Sequence, residues 1–256
     1  MKKKKEVIDI ILPNYNSEKF IAHTIRSIIN QSYKHWKLII VDDASNKKTK
    51  LILNKFSKLK KIKIYWLKKN KGAGHCRNYA IKKSNSNFIA FIDSDDIWAK
   101  NKLKNQIFFM KKKNYSFTYT NYKTFGTKEK EINCPRSINY NKFIMNTAIA
   151  TSTMMIRRDQ IKGIRFSYTK ICEDYFFKCK LLKKTKFAYC LNQILTKYRV
   201  RKDSLQSNNF KNFYWIWRIN RDFNKLTFLK NLNSLLFITL NSLKKYGGKN
   251  IFNILH

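Results

Sequence analysis

From residue 7 to residue 92, short β-branched runs alternate with helix-length stretches, and this rhythm constrains the fold more than any other feature of the chain. VIDIIL (7–12), KLIIVD (37–42), KIKIYWL (61–67) and FIAFI (88–92) have the length and side chains of buried strands. Between them, KFIAHTIRSIINQ, LILNKFSKL and HCRNYAIKKS carry apolar residues at helical spacing. The order β-α-β-α-β-α-β predicts an α/β protein with a mostly parallel, Rossmann-like sheet flanked by helices on both faces. Ligands of such sheets bind in the crevice at the carboxyl ends of the strands.

Beyond residue 115 the pattern loosens. SFTYTNY is followed by a polar stretch from 123 to 141, TSTMMIRR (151–158) reads as a strand, and EDYFFKCKLLKK (173–184) reads as a helix with acids in its first turn. Two helices rich in Phe, Trp, Leu and Lys are predicted from 208 onward, and no repeat or low-complexity linker marks a domain boundary. The expected organisation is one α/β domain over 1–207, with a nucleotide-binding half at about 7–120 and an acceptor-side half at about 121–207. A C-terminal helical extension over 208–256 completes it.

Composition decides less. The chain of 256 residues carries 55 Lys and Arg against 15 Asp and Glu, a formal charge of +40 that points to nucleic acid or an anionic membrane. The lysines are scattered, however, with one dense block at Lys2 to Lys5, while Gly, Pro and Ala are sparse, as an AT-biased genome writes onto any fold. Cys76, Cys134, Cys172, Cys179 and Cys190 form no CxxC pair and are odd in number, which argues against a zinc site or a disulfide framework and suits a reducing cytoplasm. The apolar run after the N-terminal lysines is broken by Asp9 and ended by Pro13, too short for a signal peptide. No segment reaches the ~20 apolar residues of a membrane span. A soluble or peripheral protein is expected.

The scarce acids are not spread at random. Seven of the fifteen fall at 42–43, 93–96 and 173–174, each at the end of a predicted strand or the start of a helix. Each of the first four strands ends in polar residues: PNYN (13–16), DDAS (42–45), NKGAGHCRN (70–78) and DSDD (93–96). Singly these are weak, since Asn16 or Ser17 and the Asp and Ser of DDAS suit helix caps, and Gly72 and Gly74 suit a helix entry. Together they converge on one crevice. The close carboxylates of Asp93 and Asp95 repel one another unless a cation lies between them, and they suit a hard, oxygen-coordinated Mg²⁺ or Mn²⁺ that bridges substrate phosphates.

In this order the motifs resemble those of the family 2 glycosyltransferases, whose members carry a PxYN-like turn, a DD followed by a small residue and Ser, an NxGxxxARN-like segment and FxDxDD. The resemblance is strong from residue 7 to about 120. EDYFF (173–177) is similar to the family's ED-containing helix, and Tyr198 and Arg199, followed by Ser204, resemble a YR segment late in the catalytic domain. Cys76 stands where Ala is usual. The resemblance implies a GT-A fold and an inverting, metal-dependent hexosyl- or N-acetylhexosaminyltransferase that uses a nucleotide sugar, a UDP-sugar. It implies that Pro13, Tyr15, Asn16 and Asp42 or Asp43 line the uracil pocket, with Asn70, Gly74 and Ser94 in the nucleotide-sugar site and Arg77 reaching the base or diphosphate. Asp93 would hold ribose or metal-bound water and Asp95 the metal, while Asp174 would be the general base.

By analogy with bacterial relatives, the acceptor is a lipid-linked or oligosaccharide hydroxyl of a growing envelope glycan such as lipopolysaccharide or capsule. The enzyme would then work at the cytoplasmic membrane's inner face, its lysine-rich C-terminal helices on anionic lipid and no nucleic acid bound. Two rival readings remain at this level. A nucleotidyl- or phosphotransferase also uses DxD and Mg²⁺ at a strand end. A basic nucleic-acid-binding protein is suggested by the charge and by Tyr214, Trp215 and Trp217 interleaved with Arg218 and Arg221.

Overall fold

A computed structural model describes residues 6–169, 171–201 and 209–246. Lys2 to Lys5, Ser204, the expected domain boundary at 207/208 and the tail from 247 to 256 lie outside the described residues. The first half alternates as expected: β1 (Ile8–Asn14), α1 (Ile21–Ile29), β2 (Trp36–Asp42), α2 (Lys47–Ser57), β3 (Ile62–Trp66), α3 (Ala73–Lys83) and β4 (Phe88–Phe91). Then follow β5 (Ile97–Trp98), α4 (Lys102–Lys113), β6 (Phe117–Gly126), β7 (Lys130–Ile132), β8 (Ser137–Asn139), α5 (Tyr140–Asn146) and β9 (Met155–Arg157). The chain ends with α6 (Glu173–Thr185), β10 (Phe187–Val200), α7 (Asn209–Arg218), a π-helical turn (Ile219–Phe223) and α8 (Phe228–Tyr246).

All ten strands join one sheet, in the order β3-β2-β1-β4-β9-β6-β10-β5, with β7 beside β6 and β8 beside β10. The β3-β2-β1-β4 portion is parallel. Beyond it β9 runs antiparallel to both β4 and β6, and β10 is parallel to β6. Residues alternate between the faces of a strand. Ile8, Ile10 and Leu12 of β1 therefore enter a core with Ile21, Ile25 and Ile28 of α1 and Leu103 and Ile107 of α4. Ile11 enters the opposite core with Cys76 and Ala80 of α3 and Phe177 and Leu181 of α6. Because helices cover both faces, β1 reads as an almost unbroken apolar run.

The second half departs from the sequence reading in three places. The polar stretch from 123 to 141 holds the end of β6 with β7, β8 and the start of α5. Buried polar groups of β6 and β10 beside it are bonded, as where Asn121 Nδ2 donates to Asn192 Oδ1 at 2.7 Å. Only Met155–Arg157 of TSTMMIRR is strand, and Thr151–Thr153 forms a 3₁₀ turn. The longest strand, β10, mixes Asn, Gln and Lys with apolar residues, and its ladder to β6 shifts register between Leu191 and Ile194 and again before Thr196. Such bulges blur the period-two signal.

Asp9, the acid that interrupts the first apolar run, is fully buried in β1. Its Oδ2 accepts from the Asn85 and Ser86 amides at 2.7 and 2.8 Å, and its Oδ1 accepts from Ser86 Oγ at 2.8 Å. It thus ties the turn that feeds β4 to β1. Replacing Asp9 with Ala strands buried donors, each of which costs about 1–3 kcal/mol when unpaired. Asp9→Ala is expected to lose about 3 kcal/mol in urea denaturation, whereas a loss below about 0.5 kcal/mol, the scale of a surface change, would contradict this role.

Candidate active site at the strand ends

The carboxyl ends of β1 and β2 are knitted together before any ligand is considered. Asn14 Nδ2 donates to Asp42 Oδ2 at 2.7 Å, the Ser45 amide donates to Asp42 Oδ1 at 3.0 Å, and the Asp43 amide reaches Asn14 O at 2.8 Å. Asp42 is completely buried, so it acts as a brace for the turn. Asp43 is 2% exposed and accepts from the Lys71 and Gly72 amides at 2.8 and 2.7 Å, holding the entry to α3 against β2. Ala44 at φ 61° and Asn16 at φ 43° occupy the left-handed region, a local cost that these bonds offset. Pro13 is buried, whereas Tyr15, Asn16 and Asn70 are exposed on the rim.

The DSDD cluster divides its acids among different partners. Asp93 pairs with Arg77 at 2.6 Å, and its amide donates to Ser152 Oγ at 3.0 Å. The Ser94 carbonyl accepts from Thr24 Oγ1 at 3.0 Å, which fixes the turn to α1. Asp95 pairs with Arg201 at 3.2 Å, and its carbonyl accepts from Arg199 Nε at 3.0 Å. Asp96 turns inward to Ser152 Oγ and the Arg199 amide. Burial, then Asp95 and Asp93, pushes the Asp96 carboxyl well above the usual range.

Arg77 does more than face the crevice. It is buried, with Nη2 on Asp93 and Nη1 on Glu173 at 2.6 Å each. Gly74, one turn earlier, makes this possible: a Cβ there would lie 2.5 Å from Ser167 O and 2.9 Å from Glu173 Cγ. The close approach that requires this glycine is therefore made by the chain's own α6 segment. Next to Glu173, Asp174 receives Lys178 Nζ at 2.6 Å and Thr151 Oγ1 at 2.8 Å, both on Oδ2. That clamp leaves Oδ1 outside it. Burial raises the Asp174 carboxyl, but the Lys178 ammonium outweighs it and holds the group well below the usual carboxylate range.

Asp93 and Asp95 offer hard oxygen donors on one strand end. Asp95 is pushed up to about 6, first by burial and then by Asp93. A divalent cation relieves that repulsion, so these residues fit one. Among the described residues no group of three or more His, Cys, Asp or Glu side chains is placed to hold a metal. Diphosphate oxygens and water would complete the shell. A cleft of about 960 Å³, lined by Glu6, Phe88 and Arg157 among others, lies at the amino end of β4, away from these acids. Sequence reasoning did not find Thr151 and Ser152, in a stretch read as strand, Lys178, in a stretch read as helix, or Arg201, just past the YR segment; only their contacts reveal them.

The clamp on Asp174 has a pH signature. Its folded-state carboxyl lies below the ordinary value of 3.8, so the stability it contributes is complete above 3.8 and is lost as pH falls further. In Lys178→Met the largest opposing influence is gone and only Arg77 and Thr151 still work against burial, so that carboxyl lies higher than in wild type and its contribution above 3.8 shrinks. The wild type is expected to exceed the variant in Tm at neutral pH, and the gap is expected to narrow towards pH ~3. A gap independent of pH would rule out the clamp.

Residues 9–178 match the sequence profile of Glycosyl transferase family 2. The chain is 35% identical over 246 residues to the Bacillus subtilis protein TuaG, named as a teichuronic acid biosynthesis glycosyltransferase, covering 94% of this chain and 98% of that one. It is 36% identical over 220 residues to Escherichia coli WfgD, a UDP-Glc:alpha-D-GlcNAc-diphosphoundecaprenol beta-1,3-glucosyltransferase, with 85% and 86% covered. Among solved structures, S. aureus TarS 1-349 in complex with UDP-GlcNAc superposes with a TM-score of 0.74 at 23% identity, covering 93% of this chain and 72% of that one. A mannosyltransferase from Pyrobaculum calidifontis, in complex with GDP-Man and Mn2+, superposes with a TM-score of 0.69 at 12% identity, covering 99% and 79%. These likenesses give the fold as GT-A. By its profile match and by the extent of its curated relatives, the chain belongs to glycosyl transferase family 2.

Proposed function

We propose that the protein transfers a hexosyl or N-acetylhexosaminyl group from a UDP-sugar to a hydroxyl of a lipid-linked envelope glycan, with inversion at the anomeric carbon. The observation that carries the reading is the single ionic chain Asp93–Arg77–Glu173, which ties the DxD strand end to the helix that bears Asp174. The name of TuaG supports an envelope-glycan pathway, and that of WfgD a diphosphate-lipid acceptor and a uridine donor. The proposed units are a catalytic domain over 1–207 and a helical extension over 208–256, with the enzyme peripheral on the inner face of the cytoplasmic membrane.

In this reading Pro13, Tyr15, Asn16 and Asn70 form the base-side rim, Asp43 sets the Lys71–Gly72 loop over which the nucleotide lies, and Gly74 lets α3 approach α6 beside it. Asp42 shapes that pocket from beneath, since it is fully buried. Asp93 and Ser94 take the ribose and diphosphate side, with Arg77 setting the direction of the Asp93 carboxylate. Asp93 and Asp95 would hold Mg²⁺ or Mn²⁺, which when bound neutralises charge on the leaving diphosphate. Asp174 Oδ1 takes the acceptor hydroxyl's proton as that oxygen bonds to the anomeric carbon and the bond to diphosphate breaks. Held low by Lys178, Asp174 stays ionised at working pH and is a base of modest strength.

Two variants test the assignment. Asp95→Asn is expected to abolish transfer and the Mn²⁺ dependence of UDP binding, because an amide is a poorer, neutral ligand. Unchanged metal-dependent binding by the folded variant would reject the metal role. Asp174→Asn is expected to keep donor affinity near wild type by calorimetry while transfer falls by ~10²- to 10⁴-fold. Near-normal transfer would move the base elsewhere. Release of pyrophosphate instead of UDP would favour a nucleotidyltransferase.

A further inference from the structure

The C-terminal helix α8 buries polar groups while it exposes apolar ones. Its inward face mixes Asn231 and Ser234, both fully buried, with the buried Ile238. Asn231 Oδ1 accepts from Asn220 Nδ2 at 3.0 Å, Ser234 Oγ donates to Ile144 O, and Asn241 Nδ2 donates to Met145 O at 3.1 Å. Its outward face is apolar. Leu229, Leu232, Leu236 and Leu240 are 71, 50, 55 and 43% exposed, and steps of three and four residues align them along one side. Phe228 and Phe237 widen the stripe.

We propose that this stripe is a membrane-docking surface that lies in the interface of an anionic bilayer. Among the described residues no helix is long and apolar enough to cross a membrane, so the helix would lie flat. Residues 209–246 hold seven Lys and Arg against one acid, Asp222, an excess of positive charge in the segment that carries the stripe and one that suits anionic headgroups. Pairing two copies of this segment would bring two such excesses together, so charge favours lipid over a second chain. Trp217 sits half-buried with its ring 5.5 Å from that of Phe228, a placement suited to the headgroup level. The other side of this C-terminal unit touches α6: Tyr175, next to Asp174, donates to Asn220 Oδ1 at 2.8 Å. Docking by α8 would hold the candidate base a fixed distance from the lipid. The inference rests on the helix and does not require the transfer reaction.

It also changes the expected mode of binding. Lysines alone predict attachment that salt abolishes; an inserted apolar stripe predicts a component that salt leaves in place. The test is co-sedimentation of the full chain with phosphatidylcholine vesicles with or without phosphatidylglycerol, at about 0.1 and 1 M salt, where the screening length falls from ~10 to ~3 Å. Wild type is expected to bind the anionic vesicles and to retain part of that binding at high salt. The triple variant Leu232→Ser, Leu236→Ser, Leu240→Ser alters exposed residues only, so its circular dichroism should match wild type, and it is expected to bind at least ~10-fold more weakly at both salts. Lys225→Glu with Lys230→Glu is expected to weaken binding at low salt and leave the salt-resistant part. Wild-type-like binding by the folded triple variant overturns the proposal. So does an absence of vesicle binding by wild type, whether sedimentation then shows a dimer that the triple variant dissolves or a monomer whose face is covered by its own last residues.

Discussion

One guanidinium holds the two halves of the site in register. Arg77 carries a carboxylate on each terminal nitrogen, Asp93 from the end of β4 and Glu173 from the start of α6, both at 2.6 Å and with the Arg77 side chain 6% exposed. A buried charge is tolerated only when paired and hydrogen-bonded, and a planar fork fits two carboxylates as an ammonium does not. The pairing raises the Arg77 pKa despite burial, which acts to lower it, and burial raises that of Glu173 although Arg77 opposes it. Remove the fork, and two acids from distant parts of the chain face one another with nothing between them. The shape of Gly74 and the close approach of α3 to α6 serve this contact.

The same logic extends along the acid cluster. The chain holds 45 Lys and only 10 Arg, the bias expected of lysine-favouring codons. Three of those ten, Arg77, Arg199 and Arg201, attach to the DSDD acids or their backbone. Arg199 also stacks over Phe20 at 4.4 Å and Phe125 at 4.2 Å, which orients it for the Asp95 carbonyl. Scattered lysines make the net charge a poor guide to function, whereas arginines in fixed geometry mark where a directional cation is needed. The strand β10 matters for this reason: it starts far from the site and returns Arg199 to it.

How much of this was legible in the sequence depended on periodicity. β1 to β4 and their helices were readable because helices cover both faces of a parallel sheet, which makes its strands short and apolar. Their polar ends then identified the crevice without any contact being known. The second half was not readable in this way. Asn121, Thr118 and Thr120 point into a core yet are polar, satisfied by Gln106, Asn192 and their neighbours, so a buried strand looks like a loop. The β10 bulges removed the alternation. Lys178 was hidden for another reason: a lysine on a lysine-rich helix carries no signal until its ammonium is seen 2.6 Å from Asp174.

The helix α8 shows a deeper limit of the same method. An amphipathic pattern says that two faces differ, and the usual inference puts the apolar face inward. Here that inference holds only for Leu235 and Ile238, because Asn220, Asn224, Asn231 and Ser234 form a buried polar seam in which every side-chain group but Asn224 Oδ1 finds a partner, so the polar side packs at little cost. Once the seam is satisfied, the leucines of the stripe have nowhere to go but outward. Ile216, Ile219 and Ile238 still enter the core that holds Phe177 and Tyr175 of α6, so this C-terminal unit is continuous with the helix of the candidate base. The proposed lipid-facing surface and the candidate base are therefore joined through one packed core rather than a linker, so the orientation of one would fix that of the other.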